Sequence, residues 1–145
     1  ATACDGLVYL PSHGLNALKP EGPGEPPELL WAEHRLNSSS PSPTIYRGRA
    51  YTIKSPGILA CGDAKTGEVL WQMRLKGKIW ASAAIADGHL YAVNHEGLAQ
   101  VVRLDEERGE IVGETRLDAE MLASPAVADG AIYFRSNDRL WKIAK

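Results

Sequence analysis

The sequence lacks the features that mark membrane and nucleic-acid-binding proteins. Its apolar runs fall far short of the roughly 18 residues that a transmembrane helix needs. Its formal net charge of −2 leaves no basic excess to attract nucleic acid or an anionic membrane. We therefore expect neither a membrane span nor a nucleic-acid partner.

Cysteine is also scarce. Cys4 and Cys61 are the only cysteines among 145 residues, and their spacing is not that of a metal site or a redox pair. Since free cysteine packs as a small hydrophobe, we expect two buried or half-buried thiols.

Helical periodicity is missing too, and a repeat takes its place. Similar segments begin at Ser42 (SPTIYRGRAYTI), Ser82 (SAAIADGHLYAV) and Ser124 (SPAVADGAIYFR), and ATACDGLVYL at the N-terminus is the same unit without its serine. One glycine in each copy marks the register, and these glycines are separated by 42, 40 and 42 residues: Gly6, Gly48, Gly88 and Gly130. A unit of this length with four strand patterns is typical of a β-propeller blade.

The strand patterns of one unit are clearest in the middle copies. We predict a short first strand (83–86), an Asp-Gly turn and a second strand (89–93). A third strand (58–62) and a fourth (68–75) flank the loop Asp-Ala-Lys-Thr-Gly. The sequence therefore predicts an all-β chain, a single β-propeller segment over residues 1–145. Its blades of four antiparallel strands are expected at about 1–40, 41–80, 81–122 and 123–145, with the last one incomplete. The Pro- and Gly-rich stretch 20–28 is expected to protrude as a surface loop.

The best-preserved copy of the third turn reads CGDAKTGEVLW. In it, Asp63, Thr66, Gly67 and Trp71 resemble the tryptophan-docking motif of the PQQ-like β-propeller repeat family, and the SPAVADG and SAAIADG segments are equally typical of that family. The resemblance implies that Trp71 and its counterpart Trp31 pack between neighbouring blades against a Thr-Gly turn. These five residues are therefore expected to be structural.

The family resemblance also bears on the size of the ring. Propellers of this family generally have seven or eight blades, which implies that the chain is part of a longer ring. Alternatives are a four-bladed ring closed on itself and two copies that pair into one ring. We expect the chain to need the rest of a propeller or a second copy.

Three functional classes occur in the family: dehydrogenases that use pyrroloquinoline quinone, scaffolds of outer-membrane assembly, and extracellular sensor domains of bacterial kinases. The dehydrogenases hold the quinone with calcium and, in many cases, adjacent cysteines. This sequence has no adjacent cysteines and no carboxylate cluster that falls in a loop at the mouth of the ring. We favour a non-catalytic binding or scaffold module without cofactor or metal, extracytoplasmic (periplasmic or secreted) in a bacterium. The alternatives are the C-terminal part of a quinone-dependent dehydrogenase and a kinase sensor domain.

Protein binding requires a surface, and one face of a propeller is suited to it. The loops that enter the first strands and the turns between second and third strands share that face. An aromatic or thioether side chain among charged turns is typical of protein and peptide interfaces. The candidate residues are Trp80, Met121, Leu122, Lys54, His95, Glu96, Asn137 and Asp138. The competing interpretation is that Trp80 packs beneath its own blade.

Overall fold

The computed structural model describes residues 1–144, and β-strand is the regular structure of these residues. In this part of the chain, fifteen strands form four antiparallel sheets, and in each sheet neighbours in sequence pair with one another. The first two sheets consist of β1 (Thr2–Cys4), β2 (Leu7–Pro11), β3 (Leu15–Lys19) and β4 (Glu28–Glu33), and of β5 (Thr44–Tyr46), β6 (Arg49–Lys54), β7 (Ile58–Asp63) and β8 (Val69–Arg74). The other two consist of β9 (Ala84–Ala86), β10 (His89–Val93), β11 (Leu98–Leu104) and β12 (Gly109–Arg116), and of β13 (Ala126–Ala128), β14 (Ala131–Arg135) and β15 (Leu140–Ala144).

These sheets confirm the predicted fold class, an all-β partial propeller. Over residues 1–144, three sheets have four strands and the fourth has three. Residues 20–28, expected to protrude, are all exposed, and β4 begins at the last of them. Among residues 1–144 there is no helix with the length and apolar character that a membrane crossing requires.

The turn between the first and second strands explains the glycine that marks each copy. In the third sheet, Asp87 and Gly88 both have positive φ, at 47° and 73°. Two consecutive residues in the left-handed region form the tight turn that suits the twist of a hairpin, and glycine adopts it without strain. In the second sheet Arg47 takes the place of the aspartate, with a φ of 49°.

The four sheets, hereafter blades 1 to 4, lie side by side through their first strands. β1 contacts β5, β5 contacts β9, and β9 contacts β13. Within residues 1–144, β13 does not contact β1, so the blades form an open arc.

Apolar residues fill the space between successive blades. One cluster around Tyr9 and Leu36 joins blades 1 and 2, and a larger one around Trp71 and Leu90 joins blades 2 and 3. A third cluster, which includes Phe134, joins blades 3 and 4. The core is therefore a series of interfaces between blades.

The recurring serines also connect the blades. The Ser42 amide donates to Ser82 Oγ at 2.8 Å, and the Ser82 amide donates to Ser124 Oγ at 3.0 Å. The Thr44 hydroxyl donates to the Ala83 carbonyl at 3.2 Å. The repeat thus places the same hydrogen bond at two successive blade junctions.

We expect Ser82→Ala to lower the free energy of unfolding by about 1 kcal/mol, because it leaves the Ser42 amide without its acceptor. Ser42→Ala is the matched control, since the Ser42 hydroxyl makes no hydrogen bond within residues 1–144. Urea denaturation of the two variants measures the difference. Equal midpoints would show that the serine contact does not stabilise the junction.

Candidate functional site

Trp31 extends from β4 of blade 1 onto the Thr-Gly turn of blade 2. A side chain at Gly67 would place its Cβ 2.6 Å from Trp31 Cε3, so the indole lies directly on the glycine. The indole Nε1 donates to the Ala64 carbonyl at 3.2 Å, and the Tyr9 hydroxyl donates to the same oxygen at 3.2 Å. Trp31 therefore contacts the neighbouring blade by packing and by a hydrogen bond.

Asp63 organises the turn on which Trp31 lies. Its carboxylate accepts hydrogen bonds from the amides of Lys65 (2.8 Å) and Thr66 (2.9 Å). Desolvation alone would raise the pKa of Asp63, but these hydrogen bonds outweigh it, and the net effect lowers the pKa. The ionised aspartate is therefore the form that the folded turn stabilises.

We expect Asp63→Asn to reduce the loss of stability in acid. A carboxylate with a lowered folded-state pKa stabilises the protein above its unfolded-state pKa, and that contribution disappears as the pH falls through the folded-state pKa. The wild type should therefore lose stability below about pH 4 more steeply than Asp63→Asn. Thermal melts across that range test this. Parallel curves for the two proteins would contradict it.

Trp71 occupies the same place between blades 2 and 3. Its side chain is buried against Tyr51, with ring centroids 6.1 Å apart, and a Cβ at Gly109 would lie 3.0 Å from its Cη2. The hydrogen bond differs between the two junctions. The Glu106 carbonyl, which is the counterpart of the Ala64 carbonyl, accepts from the Arg49 guanidinium at 2.8 Å and not from the indole. The indole Nε1 of Trp71 has no partner among the described residues.

The five motif residues thus meet at junctions between blades, in two successive copies of one contact. In the third copy, Gly113 stands where Trp31 and Trp71 stand in the first two. An indole therefore packs against the next blade at the first two junctions. At the third junction Gly113 has no side chain that could make this contact.

The candidate binding residues lie on what we call the loop face, made of the loops 76–83 and 117–125 and the turns 54–57, 94–97 and 136–139. The His95 amide donates to the Lys78 carbonyl at 2.8 Å, and the Met121 amide donates to the His95 carbonyl at 3.0 Å. These bonds hold the turn of blade 3 between the two loops.

Trp80 is 43% exposed and does not pack beneath its blade. Its ring lies 4.5 Å from that of His95, centroid to centroid. His95 Nε2 lies 3.0 Å from Glu120 Oε1. Three candidate elements of the loop face therefore meet around an accessible indole.

Met121 is placed differently from our expectation of a surface contact. It is 1% exposed and packs in the cluster that contains Phe134. The available signal was the repeat, because Ile79, the counterpart of Met121 one blade earlier, is also apolar, and both side chains are fully buried. Met121 supports the loop face from below and offers it no surface.

The remaining candidate residues fall into three clefts between blades. Lys54 lines a cleft between blades 1 and 2, and His95 and Glu96 line one between blades 2 and 3. Asn137 and Asp138 line one between blades 3 and 4. The face is thus divided by the same junctions that contain the core clusters.

Sequence reasoning missed three cations in the middle cleft. Arg74, Lys76 and Lys78 line a groove of about 690 Å³. The Lys76 Nζ lies 2.8 Å from Glu114 Oε2, which leaves the other two cations to solvent. The sequence RLKGKIW did contain a signal, because these cations alternate with apolar residues such as Leu75, a pattern that places the cations on the exposed side.

Comparison with known proteins identifies the family. The model of a family described as outer membrane protein assembly factor BamB matches residues 55–145, more than half of the chain. The chain belongs to this family. No curated protein matches it.

Solved structures show the fold that the BamB family implies. The chain is similar to BamB from Moraxella catarrhalis, with a TM-score of 0.75 and 15% identity over 98% of its length, and it spans 42% of that protein. It is also similar to the quinohemoprotein alcohol dehydrogenase ADHIIG from Pseudomonas putida HK5, with a TM-score of 0.54 and 14% identity over 63% of its length and 16% of the enzyme. At these identities the likeness concerns the fold.

A calcium-bound quinone needs a cluster of oxygen donors around the metal. Calcium takes six to eight oxygen ligands, several of them carboxylates. Within residues 1–144, no group of three or more His, Cys, Asp or Glu side chains could hold a metal ion.

Cys4 and Cys61 are both free thiols, half-buried and buried as expected. Desolvation raises the pKa of Cys61, so this thiol stays protonated at neutral pH.

Proposed function

We propose that this chain is a segment of a larger β-propeller that acts as a non-catalytic binding or scaffold module for a protein or peptide partner. The observation that carries the proposal is the accessible indole of Trp80, which lies against the His95 ring on the loop face. A rigid, partly exposed tryptophan beside charged turns is typical of the residues that dominate protein interfaces.

The proposal assigns the tryptophan-docking role to the blade junctions. Trp31 and Trp71 serve as structural locks, and Asp63, Thr66 and Gly67 form a turn that receives the first of them. Two observations support this assignment: Trp71 is buried between blades 2 and 3, and the indole of Trp31 lies directly on Gly67 of the next blade.

The proposal includes further blades beside blade 4. Within residues 1–144, β15 pairs with a strand on one side only, and its Leu140 is 69% exposed. An unpaired edge with apolar side chains favours pairing with another strand. The span of 42% of BamB from Moraxella catarrhalis supports further blades as that neighbour. The family description, an outer membrane protein assembly factor, supports an extracytoplasmic location in a bacterium.

A binding assay on two alanine-substitution variants tests the proposal. Affinity capture from an envelope extract of the source organism should recover a partner with the wild type and with Leu29→Ala, a control at an exposed residue of β4, away from the loop face. Capture should be lost with Trp80→Ala. Equal capture by all three proteins would exclude the loop face as the binding surface.

The second candidate, part of a quinone-dependent dehydrogenase, is favoured by the similarity to ADHIIG. Incubation with pyrroloquinoline quinone and calcium, followed by a dye-linked assay of alcohol or aldose oxidation, separates the two functions. Stoichiometric quinone binding or turnover would overturn the scaffold proposal. A sensor domain differs from a scaffold in its ligand, and would bind a small molecule in place of a protein.

A further inference from the structure

The segment 74–80, which links β8 to β9, combines a buried side with a charged one. Leu75 and Ile79 are fully buried. The exposed side chains are those of Arg74, Lys76, Lys78 and Trp80. The buried residues fix the segment to the core, so the exposed ones belong to a defined surface.

Hydrogen bonds hold this segment on both sides. The Leu75 amide donates to the Gly57 carbonyl at 2.7 Å, and Asn94 Nδ2 donates to the Lys76 carbonyl at 3.0 Å. Gly77 has a φ of 79°, and its missing side chain leaves room for the Asn94 amide. The groove is therefore largely formed before any ligand arrives, which reduces the ordering cost of binding.

The groove is basic in a chain whose net charge is negative. Its lining has three cations and one carboxylate, that of Glu96. Within the described part of the chain, Arg74 and Lys78 have no carboxylate within 4 Å. Two uncompensated cations fixed in a concave surface attract a negatively charged ligand.

The neighbouring cleft limits the kind of anion that fits. Between blades 3 and 4 the lining includes Asp118, Glu120 and Asp138, against Arg139. A uniformly charged polymer such as a nucleic acid would meet repulsion there as it left the groove. A peptide can place acidic residues in the groove and other residues beyond it.

Building on the proposed function, we propose that this groove binds an acidic, extended peptide segment of the partner protein. Carboxylates of the peptide pair with Arg74 and Lys78, and Trp80 packs against an apolar or aromatic side chain beside them. The groove has a volume of about 690 Å³, which suits a few side chains and lies within the roughly 300–1,000 Å³ of ordinary ligand pockets.

Fluorescence anisotropy with three labelled peptides of equal length tests this inference. Each peptide carries one phenylalanine flanked by glutamates, by glutamines or by lysines. The wild type should bind the glutamate peptide most tightly, and added salt should weaken that binding. A single-stranded oligonucleotide serves as a fourth probe.

The repeat supplies matched controls one blade along the chain. Arg74→Glu should weaken binding of the glutamate peptide about tenfold. Arg116→Glu, the same charge reversal at the equivalent position of β12, should change it less than about twofold. Trp80→Ala should weaken binding in the same way, whereas Leu29→Ala, at an exposed residue of β4 away from the loop face, should not. Circular dichroism of each variant shows whether it remains folded.

The outcomes separate the inference from the function on which it rests. If the glutamine or lysine peptide bound more tightly and Trp80→Ala abolished that binding, the inference of an acidic ligand would be wrong. The loop face would still be a binding surface. Tighter binding of the oligonucleotide, equal loss in Arg74→Glu and Arg116→Glu, or no peptide binding at all would overturn the inference. Quinone binding with turnover would overturn the proposed function itself.

Discussion

Replacing Trp71 with alanine is expected to lower the free energy of unfolding by about 3–5 kcal/mol. The indole is 8% exposed and lies between blades 2 and 3, against Tyr51 on one side and Gly109 on the other. Its removal would leave a cavity at the largest apolar cluster of the chain, and surrounding strands restrict collapse into that cavity.

Trp80→Ala is the matched control for this experiment, because it makes the same chemical change at a residue that is 43% exposed. We expect it to cost about 0.5 kcal/mol, as for other surface substitutions. Urea unfolding followed by circular dichroism gives both values. If the two variants unfolded at the same urea concentration, Trp71 would not be a lock between blades.

Gly67→Ala is expected to cost about 2–4 kcal/mol, from two separate causes. Gly67 has a φ of 78°, which is unfavourable for alanine, and the new Cβ would lie 2.6 Å from Cε3 of Trp31. A rigid indole cannot yield as a flexible side chain would, so the blade junction itself must shift.

A control and a double mutant separate the two causes. Gly88 has a φ of 73°, and a Cβ added to it would meet no other atom within 4 Å, so Gly88→Ala carries the backbone strain alone, about 1 kcal/mol. In a Trp31→Ala background the indole clash disappears, and Gly67→Ala should then cost about as much as Gly88→Ala. Full additivity of the Trp31 and Gly67 substitutions would show that the two residues are not in contact.

The strand order could be predicted from the sequence because it depends on local chemistry that recurs. Each Asp-Gly or Arg-Gly pair turns the chain with two positive φ values, and alternating residues such as those of β10 follow at once. The predicted second strand, 89–93, coincides with β10. The predicted third strand ends one residue before β7 does, and the predicted fourth strand extends one residue beyond β8 at each end, where pairing stops gradually.

The loop face was less predictable because its geometry depends on residues that are distant in sequence. Trp80 and His95 stack although they belong to different blades, and nothing in either local pattern indicates the contact. Arg49 was missed as a junction residue for the same reason, since its two acceptors lie in the loop at Asp105 and Glu106. Periodicity identifies which side of a strand is buried, but not which neighbour covers it.

The contact between an indole and the next blade's glycine has a consequence for how such chains evolve. Blade 2 carries both partners of the contact. Its Gly67 packs against Trp31 of blade 1, and its Trp71 packs against Gly109 of blade 3. Duplicating one such unit creates a new junction that already matches on both sides, because the interface is head-to-tail. Gene duplication can therefore add a blade without any compensating substitution. The number of blades is then selected by the angle at which the ring closes. A copy such as blade 3, with Gly113 in place of tryptophan, does not provide the indole for this contact with the blade that follows it.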